Sequence, residues 1–420
     1  MTVQKTTLDN GITVLSEDYP HLETVALGVW TKAGARDEHQ EENGIAHMLE
    51  HMAFKGTSKR NARQIVEEIE AAGGDLNAAT SMESTTYNAR VLKDDWPGAL
   101  DVLGDIVCDP LFDAGELARE RDVVLQEIAA ANDTPDDVVY DLGHAVAFPD
   151  QAVGRAILGT QERVAGFTAQ NLIDFRQANY NGSQMVIAAA GRIDHHEFAD
   201  QVTRHFSAIK TGTARQRPQA KFSGGMSVAE KPLDQTHILM SFPTIGYRHD
   251  DIYAMQVLSI ILGGGMSSKL FQQVREERGL CYAVYAHVSA FQDSGLFSVY
   301  AGTAPDKVDE LVAVTSQTIA TMTDDVTTAE LDRAKNQIKA GLVMSLESSA
   351  ARADQLARQF MAFGEIQEIS HIINKIEEVT LADISRLADE VFCRGQLSFA
   401  AVGSLVKLPE YEQVLAGLQK

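Results

Sequence analysis

Two stretches of this 420-residue chain run through the same elements in the same order, and that repetition limits the fold more than any other feature. The first stretch predicts a strand (Thr24–Thr31), an apolar helix (44–54) and an amphipathic helix (62–72). Strands over 75–79 and 85–91 and a helix over 96–108 follow. The second predicts a strand over 237–241, a helix over 251–262, an amphipathic helix over 268–278, strands over 282–290 and 295–301, and a helix over 306–322. Later, Glu116-Leu117-Ala118-Arg119 matches Glu330-Leu331-Asp332-Arg333 at an offset of 330 − 116 = 214. A unit this long repeats as a domain, not as a solenoid. The expected fold is therefore α+β: two homologous domains, each a mostly antiparallel sheet packed with helices. The polar, breaker-rich run at 211–225 marks the boundary. It gives a first domain over 1–212, a linker over 213–226 and a second domain over 227–420.

Composition bounds what such a chain does. A net charge of −23 disfavours nucleic acid, which needs basic surface. It is compatible with an acidic cavity for basic peptides, and equally with plain solubility. No apolar run approaches the roughly 18 residues that a membrane span requires. The N-terminal residues lead directly into a strand, an Asn10-Gly11 turn and a second strand, without a signal-peptide core. Three cysteines, Cys108, Cys281 and Cys393, are too few and too scattered for a disulfide framework or a zinc finger. A cytoplasmic protein is the expectation.

Chemistry enters at His47-Met48-Leu49-Glu50-His51. On a helix, positions four apart share a face, so both imidazoles can meet one ion while Glu50 sits beside it. This is H-x-x-E-H, the inverted order of the zinc-protease motif. Neutral imidazoles bind zinc, and a neighbouring carboxylate can take a proton from water that the metal activates. The flanks read as a helix, with Asn43 and Gly44 at its start and Gly56 at its stop. A largely apolar helix would bury these polar groups, and buried charge without partners is expensive. A helix whose two histidines bind nothing is the alternative, and a third ligand separates the readings.

The repeat points to that ligand. A helix over 115–131 carries Glu116, Glu120 and Glu127, and the last two lie seven apart on one face. At the 214-residue offset, Glu120 faces Ala334 and Glu127 faces Gly341, and Ile261–Gly265 face His47–His51. The second half thus lacks the metal equipment. Glu127, set between Leu125 and Ile128 on a helix read as largely buried, is the third-ligand candidate.

Three stretches carry a resemblance. They are Asn43–Thr57, containing the motif; Glu120-Arg121-Asp122-Val123-Val124-Leu125-Gln126-Glu127-Ile128; and Leu262-Gly263-Gly264-Gly265-Met266-Ser267-Ser268-Lys269-Leu270-Phe271. Together they resemble the M16 family of zinc peptidases, in particular the short-chain branch with the mitochondrial processing peptidase β-subunit and its bacterial relatives. The resemblance implies one Zn²⁺ per chain on His47, His51 and Glu127, with Glu50 as general base. It implies that Glu120 orients a ligand histidine, and that Asn77 and Ala78 belong to an edge strand that pairs with substrate backbone. Gly263, Gly264 and Gly265 read either as a helix C-cap or, since three glycines exceed what a cap needs, as a loop near substrate. Arg275 and Tyr282, seven apart, would reach the substrate carbonyl from the domain facing the zinc. The residues alone read that pair as a helix-end Arg beside a strand Tyr.

The implied activity is zinc-dependent endopeptidase or oligopeptidase cleavage of a peptide, basic or general, in an enclosed chamber. The implied assembly is a homodimer with composite sites. Two rivals are a non-catalytic structural subunit and one subunit of an obligate heterodimer.

Overall fold

The computed structural model describes residues 2–213 and 215–418; Met1 and, within the expected linker, Ala214 lie outside the described residues. The chain forms two compact units. The first holds a six-stranded sheet of β1 (Gln4–Thr7), β2 (Thr13–Asp18), β3 (Thr24–Thr31), β4 (Asp75–Thr80), β5 (Thr85–Leu92) and β6 (Met185–Gly191), in the order β1-β2-β6-β3-β5-β4. The second holds β7 (Gly225–Glu230), β8 (Thr236–Thr244), β9 (Cys281–Ala290), β10 (Gly295–Thr303) and β11 (Ser398–Gly403), in the order β7-β11-β8-β10-β9. Without β1, the two orders are the same. Each sheet has one parallel pair, β2 with β6 and β7 with β11, and is otherwise antiparallel. The duplication expected from the order of elements is therefore present in the topology.

Strand periodicity explains how each sheet is covered on both faces. Along β3, Val25, Leu27 and Val29 join the large core of the first unit, while Ala26 and Trp30 join a smaller cluster on the opposite face. In β6, Ile187 and Ala189 face the large core, and Val186, Ala188 and Ala190 face the smaller one. Both faces are thus apolar, as a sheet between two helical layers requires.

One feature departs from contiguous domains. Helix Ser349–Phe363, late in the chain, belongs to the first unit, and helix Pro135–Ala147 belongs to the second. Each covers the sheet of the unit it joins. Leu356, Ala357 and Met361 pack with Leu15 and Trp30. Val139 packs with Leu239, Ala400 and Val402. The stretches 1–212 and 227–420 therefore differ from the compact units by one exchanged helix each. Hydrophobic pattern alone does not reveal which sheet an apolar helix face will choose.

A second departure concerns winding. The amphipathic helix expected over 268–278 forms a wide turn at Phe271–Glu276, in which the Glu277 N–H reaches the Gln272 carbonyl five residues back at 2.9 Å. Its counterpart, Ala62–Ala71, is a regular α-helix started by the Asn61 side chain, which accepts from the Gln64 N–H. Among the described residues, no helix is long and apolar enough to cross a membrane.

Candidate metal centre

The motif lies on helix Ile45–Ala53. Its apolar residues, Ile45, Ala46, Met48, Leu49, Met52 and Ala53, are buried in the large core of the first unit. His47, Glu50 and His51 keep a partly open face. The helix starts at Gly44, whose φ of +96° suits glycine; a Cβ there would meet the Leu158 carbonyl oxygen at 2.7 Å. Gly44 has no side chain with which to cap the helix. The cap comes from Glu38, whose buried carboxylate accepts from the Gly44 N–H and Ala46 N–H, both at 2.9 Å, and from Asn43 Nδ2 at 3.1 Å. Burial outweighs these donors and pushes the Glu38 carboxyl up to about 7. The stop is Gly56, with φ +121°, as the sequence predicts.

Three side chains converge in front of this helix. Nε2 of His47 lies 3.6 Å, and Nε2 of His51 3.4 Å, from Glu127 Oε2. All three offer ligand atoms within 4.8 Å of one another. The separations are too long for hydrogen bonds. They match the roughly 3.4 Å between neighbouring ligands set about 2.0–2.1 Å from a tetrahedral zinc. Burial, and then the neighbouring His51, push the His47 imidazole down to about 4, so at neutral pH it keeps a lone pair for a metal. Two imidazole nitrogens and one carboxylate are a zinc-type set with room for a fourth position. The residues fit the metal.

Glu120 lies beside them. Its Oε2 is 3.0 Å from His51 Nδ1, and its Oε1 is 2.7 Å from Lys55 Nζ. A carboxylate on Nδ1 fixes the tautomer that leaves Nε2 free for a metal. Glu120 and Glu127 share a helix, Ala114–Asp133, and both face the histidines. That helix is less buried than expected. Only Leu117, Glu120, Val124 and Ile128 are buried, and the Glu127 side chain is 40% exposed. The apolar neighbours Val123 and Leu125 misled the sequence reading: Val123 itself is exposed. A ligand at the rim also leaves the centre open to solvent.

Glu50 lies on the same helix face and meets the end of β4. Thr80 Oγ1 donates to Glu50 Oε2 at 2.5 Å, and the Thr80 backbone N–H also serves this carboxylate. Burial raises the Glu50 carboxyl, and the Thr80 hydrogen bond opposes the rise. Strand β4 is an edge, paired only with β5. The Ser81 N–H bonds to the Ser84 carbonyl at 2.8 Å, so by antiparallel alternation Thr80, Ala78 and Leu76 turn their backbone groups to the free side. There the Ala78 N–H is held by the Asn77 side chain at 2.9 Å. Asn77 is exposed, and Ala78 packs its methyl against the core. The open edge thus leads to Glu50.

The remaining candidates lie in the second unit. The Arg275 guanidinium lies over the Phe271 ring at 4.6 Å and the Tyr282 ring at 5.0 Å, so the expected pair is in contact. Tyr282 is 78% exposed. The wide turn at Phe271–Glu276 carries Arg275, and such turns are frequent at functional sites. Of the three glycines, Gly263 is explained by packing: a Cβ would meet the Ala286 backbone nitrogen at 2.3 Å. At Gly264 a Cβ would strike Ile260, whereas at Gly265 it would make only an ordinary contact, with Gln337 Nε2 at 3.8 Å. The correspondence between Ile261–Gly265 and His47–His51 does not hold. His47 is the third residue of its helix, and Ile261 the tenth of Ile252–Gly263. The segment from strand to helix runs 44 − 31 = 13 residues in the first unit and 251 − 244 = 7 in the second, so one offset cannot serve both sides of it.

Sequence reasoning missed Glu38, Lys55 and Thr80. Lys55 follows His51 by one helical turn, a spacing that could have found it. Thr80 shares the period-two inner row of Leu76 and Ala78, another usable signal. Nothing local marks Glu38, whose role depends on how the loop folds back.

Two family models match the chain. The one described as insulinase (peptidase family M16) covers residues 13–161, and the one described as peptidase M16 inactive domain covers residues 166–338. An uncharacterized zinc protease of Rickettsia felis is 39% identical over 92% of this chain and 94% of its own length. Among solved structures, a protease from Helicobacter pylori aligns at 23% identity and a TM-score of 0.88, over 96% of this chain and 99% of that one. A peptidase M16 inactive domain from Pseudomonas fluorescens aligns at 21% identity and a TM-score of 0.89, over 97% of this chain and 98% of that one. At those identities the two structures speak to the fold alone.

Proposed function

We propose, given that the chain belongs to the M16 family of peptidases, that it is a zinc-dependent endopeptidase with one catalytic zinc per chain. The observation that carries this reading is the convergence of His47, His51 and Glu127 beside Glu50, next to an open sheet edge. The rival of a non-catalytic subunit gains nothing from the first unit, where each expected metal residue is present.

Zinc held by Nε2 of His47, Nε2 of His51 and the Glu127 carboxylate would supply a Lewis acid that polarises the scissile carbonyl and acidifies water. Glu120 keeps His51 in the ligating tautomer. The substrate adds to the free edge of β4, and its carbonyl replaces the Asn77 side chain on the Ala78 N–H. Glu50 takes one proton from the attacking water as oxygen bonds to the carbonyl carbon. It then gives that proton to the amine nitrogen as the C–N bond breaks. Arg275 and Tyr282 supply a cation and a phenol for the developing oxyanion. The family resemblance further supports a homodimer in which one chain brings Glu50 and the other Arg275 and Tyr282.

Mass spectrometry of a mixed peptide pool, with and without a chelator, tests the reading. The expected outcome is cleavage that the chelator stops and zinc restores. Glu50→Gln should retain zinc and lose about a hundredfold to ten-thousandfold in kcat. A zinc-loaded wild-type chain that cleaves nothing, alone or as a dimer, sinks it. Recovered activity on mixing Glu50→Gln chains with Arg275→Ala chains would support the shared site.

A further inference from the structure

We propose that Thr80 is the positioning residue of Glu50, aiming the catalytic carboxylate from the strand that receives the substrate. The inference rests on the peptidase reading for the consequence of that aim, and on geometry for the aim itself.

The first observation is the contact. A single residue gives Glu50 two donors: the hydroxyl, at 2.5 Å from Oε2, and the backbone N–H. The hydroxyl engages Oε2. A carboxylate on a helix has free torsions of its own. Two donors on one rigid strand remove that freedom, and a base misplaced by about 1 Å costs on the order of a hundredfold in rate.

The second observation is the company Thr80 keeps. The inner row of β4 is Leu76, Ala78 and Thr80, and the first two pack against the apolar core. A hydroxyl at the end of an apolar row needs a polar partner, and Glu50 is that partner.

The third observation is the other unit, which serves as an internal control. Thr80 pairs with Thr85 at the close of the β4–β5 hairpin, and Ala290 pairs with Gly295 at the close of the β9–β10 hairpin. Ala290 thus stands where Thr80 stands, without a hydroxyl. Helix Ile252–Gly263, which packs against β9, contains no Asp, Glu or His. The donor is present where the carboxylate is present and absent where it is absent. Threonine's β-propensity does not explain this, because both positions are strand residues.

The coupling also gives the edge a purpose beyond binding. A peptide paired to Ala78 is held by the strand whose end holds Glu50, so substrate and base share one rigid reference. Thr80 is not among the residues that would hold the metal.

Thr80→Val keeps the shape and removes the hydroxyl; Thr80→Ser keeps the hydroxyl and removes the methyl. Zinc stoichiometry, kcat and KM are to be measured for both on a peptide that the wild type cleaves. T80V should bind zinc as the wild type does, keep KM within about twofold and lose roughly ten- to a hundredfold in kcat, while T80S stays within about threefold. A T80V enzyme at wild-type kcat overturns the proposal, and so does T80S falling as far as T80V. A crystal structure of zinc-loaded T80V decides without turnover. A Glu50 carboxylate swung from its wild-type position supports the role, and an unmoved one ends it. If the zinc-loaded wild type cleaves no peptide, the peptidase reading fails by itself, and the position of Glu50 in T80V still judges Thr80.

Discussion

Helix Ile45–Ala53 and helix Ile252–Gly263 pack against the edge strands of two sheets with one topology, yet they carry opposite contents. The first holds two imidazoles and a carboxylate on one face. The second is apolar along nearly its whole length and presses Gly263 onto the β9 backbone. Their approaches differ as well: the first follows a connection 13 − 7 = 6 residues longer, and Glu38, which caps it, lies in that connection. The lesson is that the duplicated scaffold is neutral. The candidate site occupies a few positions on it: His47, Glu50, His51, Glu120, Glu127, Thr80 and a capping loop. The other copy stayed closely packed, as interiors do when nothing must enter.

The largest expected effect comes from making the first unit resemble the second. Glu127→Gly installs the residue found at Gly341, and Glu120→Ala the residue found at Ala334. Glu127→Gly should release zinc on dialysis and abolish cleavage. Glu120→Ala should weaken zinc binding about ten- to a hundredfold and leave the fold intact. Chelator competition measures both. If Glu127→Gly holds zinc as tightly as the wild type, the contrast between the units has been drawn on the wrong residue.

A second contrast concerns the exchanged helices. Helix Ser349–Phe363 is held by a buried ion pair, Arg352 with Glu17, and by the Trp30 indole donating to Asp354 at 2.9 Å. Helix Pro135–Ala147 is held by apolar packing and by Ser398 Oγ donating to the Gly143 carbonyl at 2.7 Å. Glu17→Ala strands a buried guanidinium and should cost about 3–5 kcal/mol. Ser398→Ala removes one neutral hydrogen bond and should cost about 1 kcal/mol. Urea unfolding of the two variants checks the order. Equal costs would mean that charge is not what seats the first helix.

The smallest effect sharpens the difference in capping. Glu38 is held at about 7 in the folded chain against 4.5 as its ordinary value. The folded state therefore keeps a proton that the unfolded state has lost between those pH values. The associated stability is full below about 4.5, falls as pH rises to about 7 and is flat beyond. Thermal melts of zinc-free wild type, compared with Glu38→Gln, should show that fall in the difference between them. The substitution itself should cost about 1 kcal/mol through the damaged cap. Parallel pH curves would show that Glu38 does not titrate in this range.

Most of the fold was legible because its signals are local. The strand pattern of β3, the Asn10-Gly11 turn and the apolar periodicity of the helices depend on neighbours in sequence, whereas β6, β7 and β11 were not among the expected strands. The ordered repeat of those signals carried the duplication, and helix spacing put His47 and His51 on one face with Glu120 and Glu127 opposite them. The burial of Glu127 was misjudged, because neighbours along a helix point to different surroundings. The exchanged helices were invisible, since an amphipathic face does not name the sheet that will cover it.

The sequence by itself thus determined the family, the α+β layering and the metal-binding residue types, since spacing and repetition are properties of the chain alone. Only the tertiary structure decided that Glu38 reaches back to cap Gly44 and Ala46, that Lys55 shares Glu120 with His51, and that Thr80 meets Glu50 at the end of an open edge. Those contacts join residues brought together by chain reversal, sheet edge and core packing; periodicity marks the faces on which Lys55 and Thr80 lie, but not the partners they meet there.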